Sequence, residues 1–313
     1  CSFTSYPIGV YKDKVDAYLD TMEKEMEYIA ESYTEKKLAS IYIGGGTPSS
    51  ISAEQMDRLC SMIEKHFDLS QVREYTIEAG RPDSTTADKL QVMKAHGVDR
   101  ISINPQTMNG ETLKLIGRAH TPEQAEEAFM RAREAGFDNI NMDLIVGLPG
   151  EDAEMVKRTL EKVKKLAPES LTVHTLAIKR AAHLKQEMDK YSFAGDVDEQ
   201  LSLVGQAAEE LGLAPYYLYR QKNMAGNLEN VGYARHGLEC LYNILIMEER
   251  TDIIGIGAGS SSKLIRREGD LDPVTGETVI GNRIDRVENC KSVDDYIARI
   301  DEMIDRKKQA FAK

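Results

Sequence analysis

Only four cysteines, at positions 1, 60, 240 and 290, occur in 313 residues, with no close pair and no Cys-x-x-Cys spacing. That argues against a disulfide framework and fits the reduced cytosol, so a cytoplasmic protein is expected. Positive charge is also scarce: 40 Lys and Arg face 52 Asp and Glu, a net charge of −12. Such a balance speaks against a broad nucleic-acid footprint, although a local basic pocket is compatible with it. No apolar stretch approaches the roughly 18–20 residues that span a bilayer, and no secretory signal is present. Internal repeats and low-complexity segments are absent too. What remains is ordinary for a globular protein: 41% hydrophobic and 29% charged residues. The chain is long enough for one large domain or two smaller ones.

An initiating Met is also missing. A lipidated cysteine followed by Ser would begin in the same way, but a polar linker should then follow. Phe3, Tyr6, Pro7 and Ile8 come instead, and truncation at the N-terminus is the expectation. Cys60 falls on the apolar stripe of a predicted helix and reads as core, while Cys240 and Cys290 have no ligand-like neighbours in sequence.

Strand-like runs centre near residues 41–43, 74–78, 99–103, 140–146 and 171–176, with amphipathic stretches between most of them. The first predicted helix, about 13–36, carries Val15, Tyr18, Leu19, Met22, Met26 and Ile29 at helical spacing. Ser52-Ala-Glu-Gln55 opens a helix to about His66 as a capping box. Others are predicted over 84–96, 122–135, 152–166 and 197–211. Thr121-Pro-Glu-Gln124 is a second capping box with Pro at the first helical position, and Gly136 stops that helix. Strand and helix alternating every 30 residues or so implies right-handed βαβ units and a parallel sheet, α/β in class. A strand at 215–219 should add one more. Beyond 220 the pattern changes to a polar loop at 221–227, a strand and glycine turn at 252–259, a strand at 278–284 and a closing helix at 292–308. A domain boundary is expected at 215–225.

Function is sought at the strand ends, because ligands of parallel α/β folds bind at the carboxyl ends of strands. Ile41-Tyr-Ile-Gly-Gly-Gly-Thr47 runs a strand into bare backbone that no Cβ shields. The next strands end in Thr76-Ile-Glu78-Ala-Gly80, Ile101-Ser-Ile-Asn-Pro-Gln106, Asn141-Met-Asp143 before Gly147-Leu-Pro-Gly-Glu151, and Thr172-Val-His-Thr-Leu-Ala177. Gly117-Arg118-Ala-His120 precedes a helix. Each residue has a bland reading: Glu78 paired with Arg81, Asp143 a strand-end cap, Arg118 a solvated charge. Recurrence at successive strand ends weighs against all of them together.

These segments resemble the radical S-adenosylmethionine (SAM) enzymes of the oxygen-independent coproporphyrinogen III oxidase/dehydrogenase family. The matching runs are Gly44-Gly-Gly-Thr-Pro48, Thr76-Ile-Glu-Ala79, Arg100-Ile-Ser-Ile103 with Gln106, Gly117-Arg-Ala-His120 and Asp143-Leu-Ile-Val-Gly-Leu-Pro-Gly150. Pro215-Tyr-Tyr-Leu-Tyr-Arg-Gln-Lys-Asn-Met-Ala-Gly226 further resembles the branch of Gram-positive anaerobes. The resemblance implies a partial (β/α)6 TIM-like radical SAM barrel over 1–220, its first strand and two cluster cysteines lying upstream. A smaller α+β domain over 221–313 would cover the substrate.

The cofactors so implied are SAM and a [4Fe–4S] cluster held by three thiolates, soft ligands suited to low-potential iron–sulfur chemistry. Cys1 would be the third of those ligands; the first two are absent from this sequence. By position, the backbone of Gly44, Gly45, Gly46 and Thr47 would hold the SAM amino group, and Glu78 the ribose hydroxyls. Gln106, Arg118 and Asp143 would fix the sulfonium end, the carboxylate and further polar contacts, with Ala177 beside the adenine. The planar fork of Arg118 suits a carboxylate. No catalytic side chain is implied beyond cluster and SAM.

The implied reaction is a one-electron reduction of SAM. It makes a radical that takes hydrogen from a propionate, so that loss of the carboxylate leaves a vinyl group, as in haem biosynthesis. Partners would be a porphyrinogen or other tetrapyrrole and a low-potential electron donor such as flavodoxin or ferredoxin. Lys179, Arg180, Arg220 and Lys222 are candidate donors to substrate carboxylates, and Tyr217 a candidate contact for the macrocycle. Strand alternation should let only one face of Tyr216, Tyr217 and Tyr219 reach it. The alternatives are a haem chaperone of the same family, which Gln221-Lys-Asn-Met224 speaks against, and a radical SAM methyltransferase or haem-opening enzyme. A metal-free (β/α) barrel using another nucleotide is the blandest rival.

Overall fold

The computed structural model describes residues 8–32, 37–176, 195–219, 230–272 and 275–311. Two compact units interleave along the chain. One contains 40–56 and 74–240, the other 8–39, 57–73 and 241–313. This differs from a sequential division at residue 220.

The first unit is built on seven strands: β1 (Ser40–Ile43), β2 (Glu74–Glu78), β3 (Arg100–Gln106), β4 (Ile140–Val146), β5 (Ser170–Thr175), β6 (Ala214–Tyr219) and β7 (Asn230–Ala234). They form one curved half-barrel sheet in the order β1-β2-β3-β4-β5-β7-β6. β1 to β5 are parallel throughout, as the alternation predicted. β6 does not extend that parallel ladder. β7, which the sequence pattern does not predict, inserts antiparallel to both β5 and β6. Its Gly232 explains the fit, since a Cβ there would lie 2.8 Å from Tyr217 Cδ1 and 3.0 Å from Tyr216 Cε1.

The sheet has one polar and one apolar face, because alternate residues point to opposite sides. Ile77, Ile101, Ile103, Ile140, Met142, Leu144, Leu171 and Val173 are buried on the apolar side. Helices cover that side: α4 (Ala87–Ala95), α6 (Pro122–Glu134), α7 (Ala153–Leu166) and α8 (Val197–Glu210). Their buried residues include Leu90, Phe129, Leu160 and Val204. α3 (Ala53–His66) begins at the Ser52/Gln55 box, each side chain bonding the other's amide at 3.2 Å. The Thr121/Gln124 box caps α6 in the same way. Gly136 follows α6 with φ 89°, the left-handed turn that favours Gly.

In the second unit α1 (Ile8–Tyr11) and α2 (Val15–Ser32) come from the N-terminal side. α2 begins later than the predicted residue 13, because Lys12–Lys14 form a 3-10 turn, and the predicted end at 36 lies outside the described residues. The later elements are α9 (Leu241–Glu248), β8 (Ser261–Arg266), β9 (Arg283–Glu288), α10 (Val293–Ala298) and α11 (Ile300–Phe311). Three expectations are corrected here. Residues 252–259 make only the bridge Ile253 to Lys263 and a glycine turn, and the strand follows as β8. The predicted strand at 278–284 lies later, as β9, while Thr278 makes a bridge to Leu271. The closing helix breaks at Arg299, whose φ of −122° leaves the helical region.

Tyr296, Ile300 and Met303 centre this unit's apolar cluster, with Tyr18, Met22, Ala258, Cys290 and Ile304 against it. At its heart lies an ion pair, Glu25 to Lys307 at 2.5 Å, both side chains fully buried. Glu25 is satisfied on both oxygens, by Lys307 and Asn289 on one and by Tyr296 and the Gly257 amide on the other. No helix among the described residues is long and apolar enough to cross a membrane.

Candidate active site

The polar face of the sheet is layered. Strand register puts Tyr42 beside Thr76 and Thr76 beside Arg100. One layer up, Glu78 stands beside Ser102, Ser102 beside Asn141 and Asp143 beside Thr172. The members bond to one another. Asn141 Nδ2 donates to Ser102 Oγ (3.0 Å) and Asp143 Oδ1 (2.7 Å), its Oδ1 accepts from Thr172 Oγ1 (3.0 Å), and Ser102 Oγ donates to Asn104 Oδ1 (2.7 Å). Arg100 is buried, 2% exposed, with Nη2 donating to Ser170 Oγ at 3.3 Å and Nε unpartnered.

Ionisable groups gather at the carboxyl ends. Tyr42 Oη donates to Glu78 Oε1 at 2.5 Å. Burial pushes the Glu78 carboxyl up, and Asp143 adds to this, while Tyr42, the Gly45 amide and Arg100 pull the other way. His174 Nε2 lies 3.9 Å from Asp143 Oδ2. Burial opposes a charge on that ring, but Asp143 and Glu78 outweigh it, so His174 is raised. Tyr217 is raised to about 12, chiefly by burial.

Around this acidic centre lie backbone and the Arg118 guanidinium. Gly44, Gly45 and Gly46 are exposed after β1, and a Cβ on Gly45 or Gly46 would meet nothing within 4 Å. Thr47 is extended, and its carbonyl accepts from the Ser50 amide (2.9 Å). Gln106 ends β3 buried with φ 69°, a left-handed conformation that costs a non-Gly residue and marks functional strand ends. His120 Nε2 meets the adjacent Pro105 carbonyl at 3.1 Å, and burial lowers this imidazole. Arg118 follows α5 (Gly110–Leu115). Burial lowers its guanidinium, Arg81 lowers it further and Asp143 opposes this. No side-chain partner holds Arg118 among the described residues.

The structure places Gly44, Gly45 and Gly46 directly after β1, Glu78 at the end of β2 and Asp143 midway along β4 on the same polar face, with Arg118 within electrostatic reach of Asp143. Tyr217 points to the same face, near Asp143. The expectation that strand alternation separates the tyrosines fails, because a bulge between Pro215 and Tyr217 turns both Tyr216 and Tyr217 toward Gly232. Cys1, Ala177, Lys179, Arg180, Arg220 and Lys222 lie outside the described residues. Cys60 and Cys240 are buried; the Cys240 thiol meets Glu74 at 3.5 Å. Sequence reasoning missed Tyr42, Asn104, Asn141 and His174. The period-two polar residues Arg100, Ser102, Asn104 and Asn141, Asp143 were the available signal.

Residues 1–163, which carry the glycine turn after β1 and the acid ending β2, match the family model of the Radical SAM superfamily. This chain belongs to the radical SAM superfamily. Such proteins use SAM and a [4Fe–4S] cluster. The oxygen-independent coproporphyrinogen-III oxidase-like protein HemZ of Bacillus subtilis is 48% identical over 273 residues, 86% of this chain and 54% of that protein. The haem chaperone HemW of Lactococcus lactis is 33% identical over 262 residues, 83% of this chain and 65% of that protein. The chain thus spans between about half and two-thirds of these relatives. The structure of HemN from Escherichia coli, a coproporphyrinogen III oxidase, superposes with a TM-score of 0.72 over 97% of this chain and 65% of that one, at 21% identity. That likeness concerns the fold.

For a radical SAM protein the two cofactors fare differently against the described residues. SAM fits: open space over Gly45 and Gly46, a half-buried acceptor at Glu78 and a guanidinium at Arg118 without a side-chain partner among the described residues suit its amine, ribose and carboxylate. The cluster's three thiolates are not found there, since no group of three His, Cys, Asp or Glu that could hold a metal occurs among the described residues.

Proposed function

We propose that this radical SAM chain is the catalytic part of a coproporphyrinogen III dehydrogenase, turning two propionates of the macrocycle into vinyl groups. The observation that supports it is 48% identity to a coproporphyrinogen-III oxidase-like protein over most of this chain. Bound SAM would supply hydrogen-atom abstraction at the propionate β-carbon, after which CO2 leaves, one electron passes to an acceptor and the vinyl group remains. The chain's own residues bind and orient. Amides and carbonyls of Gly44 to Thr47 receive the SAM amine, Glu78 accepts from the ribose hydroxyls and Arg118 takes the carboxylate. Gln106 and Asp143 complete the polar wall. Tyr217 would face the macrocycle, while Ala177, Lys179, Arg180, Arg220 and Lys222 are proposed for adenine and propionates from sequence alone. A flavodoxin- or ferredoxin-like donor would deliver the electron.

The haem-chaperone reading is favoured by a different observation, the 33% identity to HemW. One experiment separates the two. The full-length protein, with the upstream cysteines that the family resemblance implies, is reconstituted anaerobically with iron and sulfide and given SAM, a low-potential reductant and coproporphyrinogen III. Protoporphyrinogen IX accumulating with methionine and 5′-deoxyadenosine supports the dehydrogenase. SAM cleavage without decarboxylated porphyrin, together with stoichiometric retention of added haem, supports the chaperone and overturns the dehydrogenase. Methylated or ring-opened tetrapyrrole overturns both.

A further inference from the structure

The acceptor assigned to the nucleoside is not alone in its layer. Glu78 has two carboxylate oxygens, and Tyr42 Oη occupies Oε1 at 2.5 Å. β1 and β2 are parallel, with Tyr42 opposite Thr76, two residues before Glu78 on the same face. The phenol therefore reaches diagonally up the sheet to the acid. Gly44 makes room for this pairing. A Cβ there would lie 2.5 Å from Tyr42 Cε1 and 2.8 Å from Glu78 Oε1, closer than carbon and its neighbours approach. The first glycine of the turn thus serves the Tyr42–Glu78 pair, while Gly45 and Gly46 leave open space.

We propose that Tyr42 is a positioning residue for the nucleoside site, clamping one oxygen of Glu78 so that the other is left to accept from vicinal hydroxyls. The inference rests on the reading of Glu78 as the ribose acceptor and adds a residue to it. Burial, reinforced by Glu78, keeps the phenol protonated well above the ordinary tyrosine range, so it donates at every working pH. Glu78 itself is pushed up by burial and by Asp143 on β4, and pulled down by Tyr42 on β1, the Gly45 amide and Arg100 on β3. His174 on β5 also feels its charge. Tyr42 is the first of the groups that favour the carboxylate. Removing its hydroxyl lets Glu78 protonate at higher pH, and a protonated carboxyl is the poorer acceptor for a diol.

The test is calorimetric binding of S-adenosylhomocysteine to the reconstituted protein between about pH 5.5 and 8.5, with wild type, Tyr42→Phe, Glu78→Gln and the double variant. Wild-type affinity should fall on the acid side as Glu78 protonates. In Tyr42→Phe that fall should begin about one pH unit higher, with the alkaline plateau within about twofold of wild type. Glu78→Gln should bind about tenfold more weakly and lose the acid limb, and adding Tyr42→Phe to it should change nothing further. Superimposable pH profiles for wild type and Tyr42→Phe, with Glu78→Gln still weak, overturn the positioning role and leave the ribose contact standing. Unchanged affinity in Glu78→Gln, or no binding to wild type, overturns the ribose reading and Tyr42's role with it.

Discussion

Lys307 is the residue on which the second unit most depends. Its ammonium is fully buried and donates to Glu25 Oε1 (2.5 Å) and Asn289 Oδ1 (2.8 Å). A buried ion pair contributes little net stability against an apolar replacement, yet breaking one side leaves an uncompensated charge. Lys307→Met should therefore cost about 3–5 kcal/mol, read from the urea midpoint. The remaining donors to Glu25, from Tyr296, Asn289 and Gly257, favour the lower end. Pairing it with Glu25→Gln should recover part of the loss, because the stranded charge is gone. A single variant within about 0.5 kcal/mol of wild type, the range of ordinary surface substitutions, would show that the pair does not form.

Among the elements, α7 ends on the least comfortable residue of its turn. Ala167 is left-handed (φ 51°, ψ 60°), its amide donates to Val163 and its carbonyl accepts from Arg133. Gly adopts that geometry freely, so Ala167→Gly should stabilise the protein by about 1 kcal/mol. Calorimetric melting should show a higher Tm, and a lower one would mean that the turn tolerates Ala without strain. Helices with paired caps and apolar stripes were legible at this scale, since each signal is local: the boxes at Ser52 and Thr121 lie where the sequence puts them. The five parallel strands were legible for the same reason. β7 was not, because Asn230-Val-Gly-Tyr-Ala234 owes its place to a glycine that admits Tyr216 and Tyr217 from another strand. Nor was the bulge in β6, which sets the period-two rule aside. At the site, Glu78 was legible as the acid that ends its strand, whereas Asp143, expected at a strand end, sits midway along β4. Tyr42 did not, since a tyrosine in a strand reads as packing until its hydroxyl is seen on Glu78.

At the scale of the molecule, the second unit joins segments far apart in the chain. α2 meets α10 and α11 through Tyr18, Met22 and Glu25, which face Tyr296, Met303 and Lys307. Nascent chains halted before about residue 290 should therefore leave α2 protease-sensitive, with protection appearing once Lys307 has been made. Protection at the earlier stage would mean that α2 finds another partner. During synthesis at roughly 5–20 residues per second, α2 waits on the order of tens of seconds for its companions. Throughout that interval Tyr18, Met22 and Glu25 lack the partners of the finished protein, while α3 offers α2 contacts, Arg58 to Asp20 and Lys65 to Glu23. Birth order thus sets a demand on this chain that its final energy does not record: α2 must avoid other partners until α10 and α11 arrive.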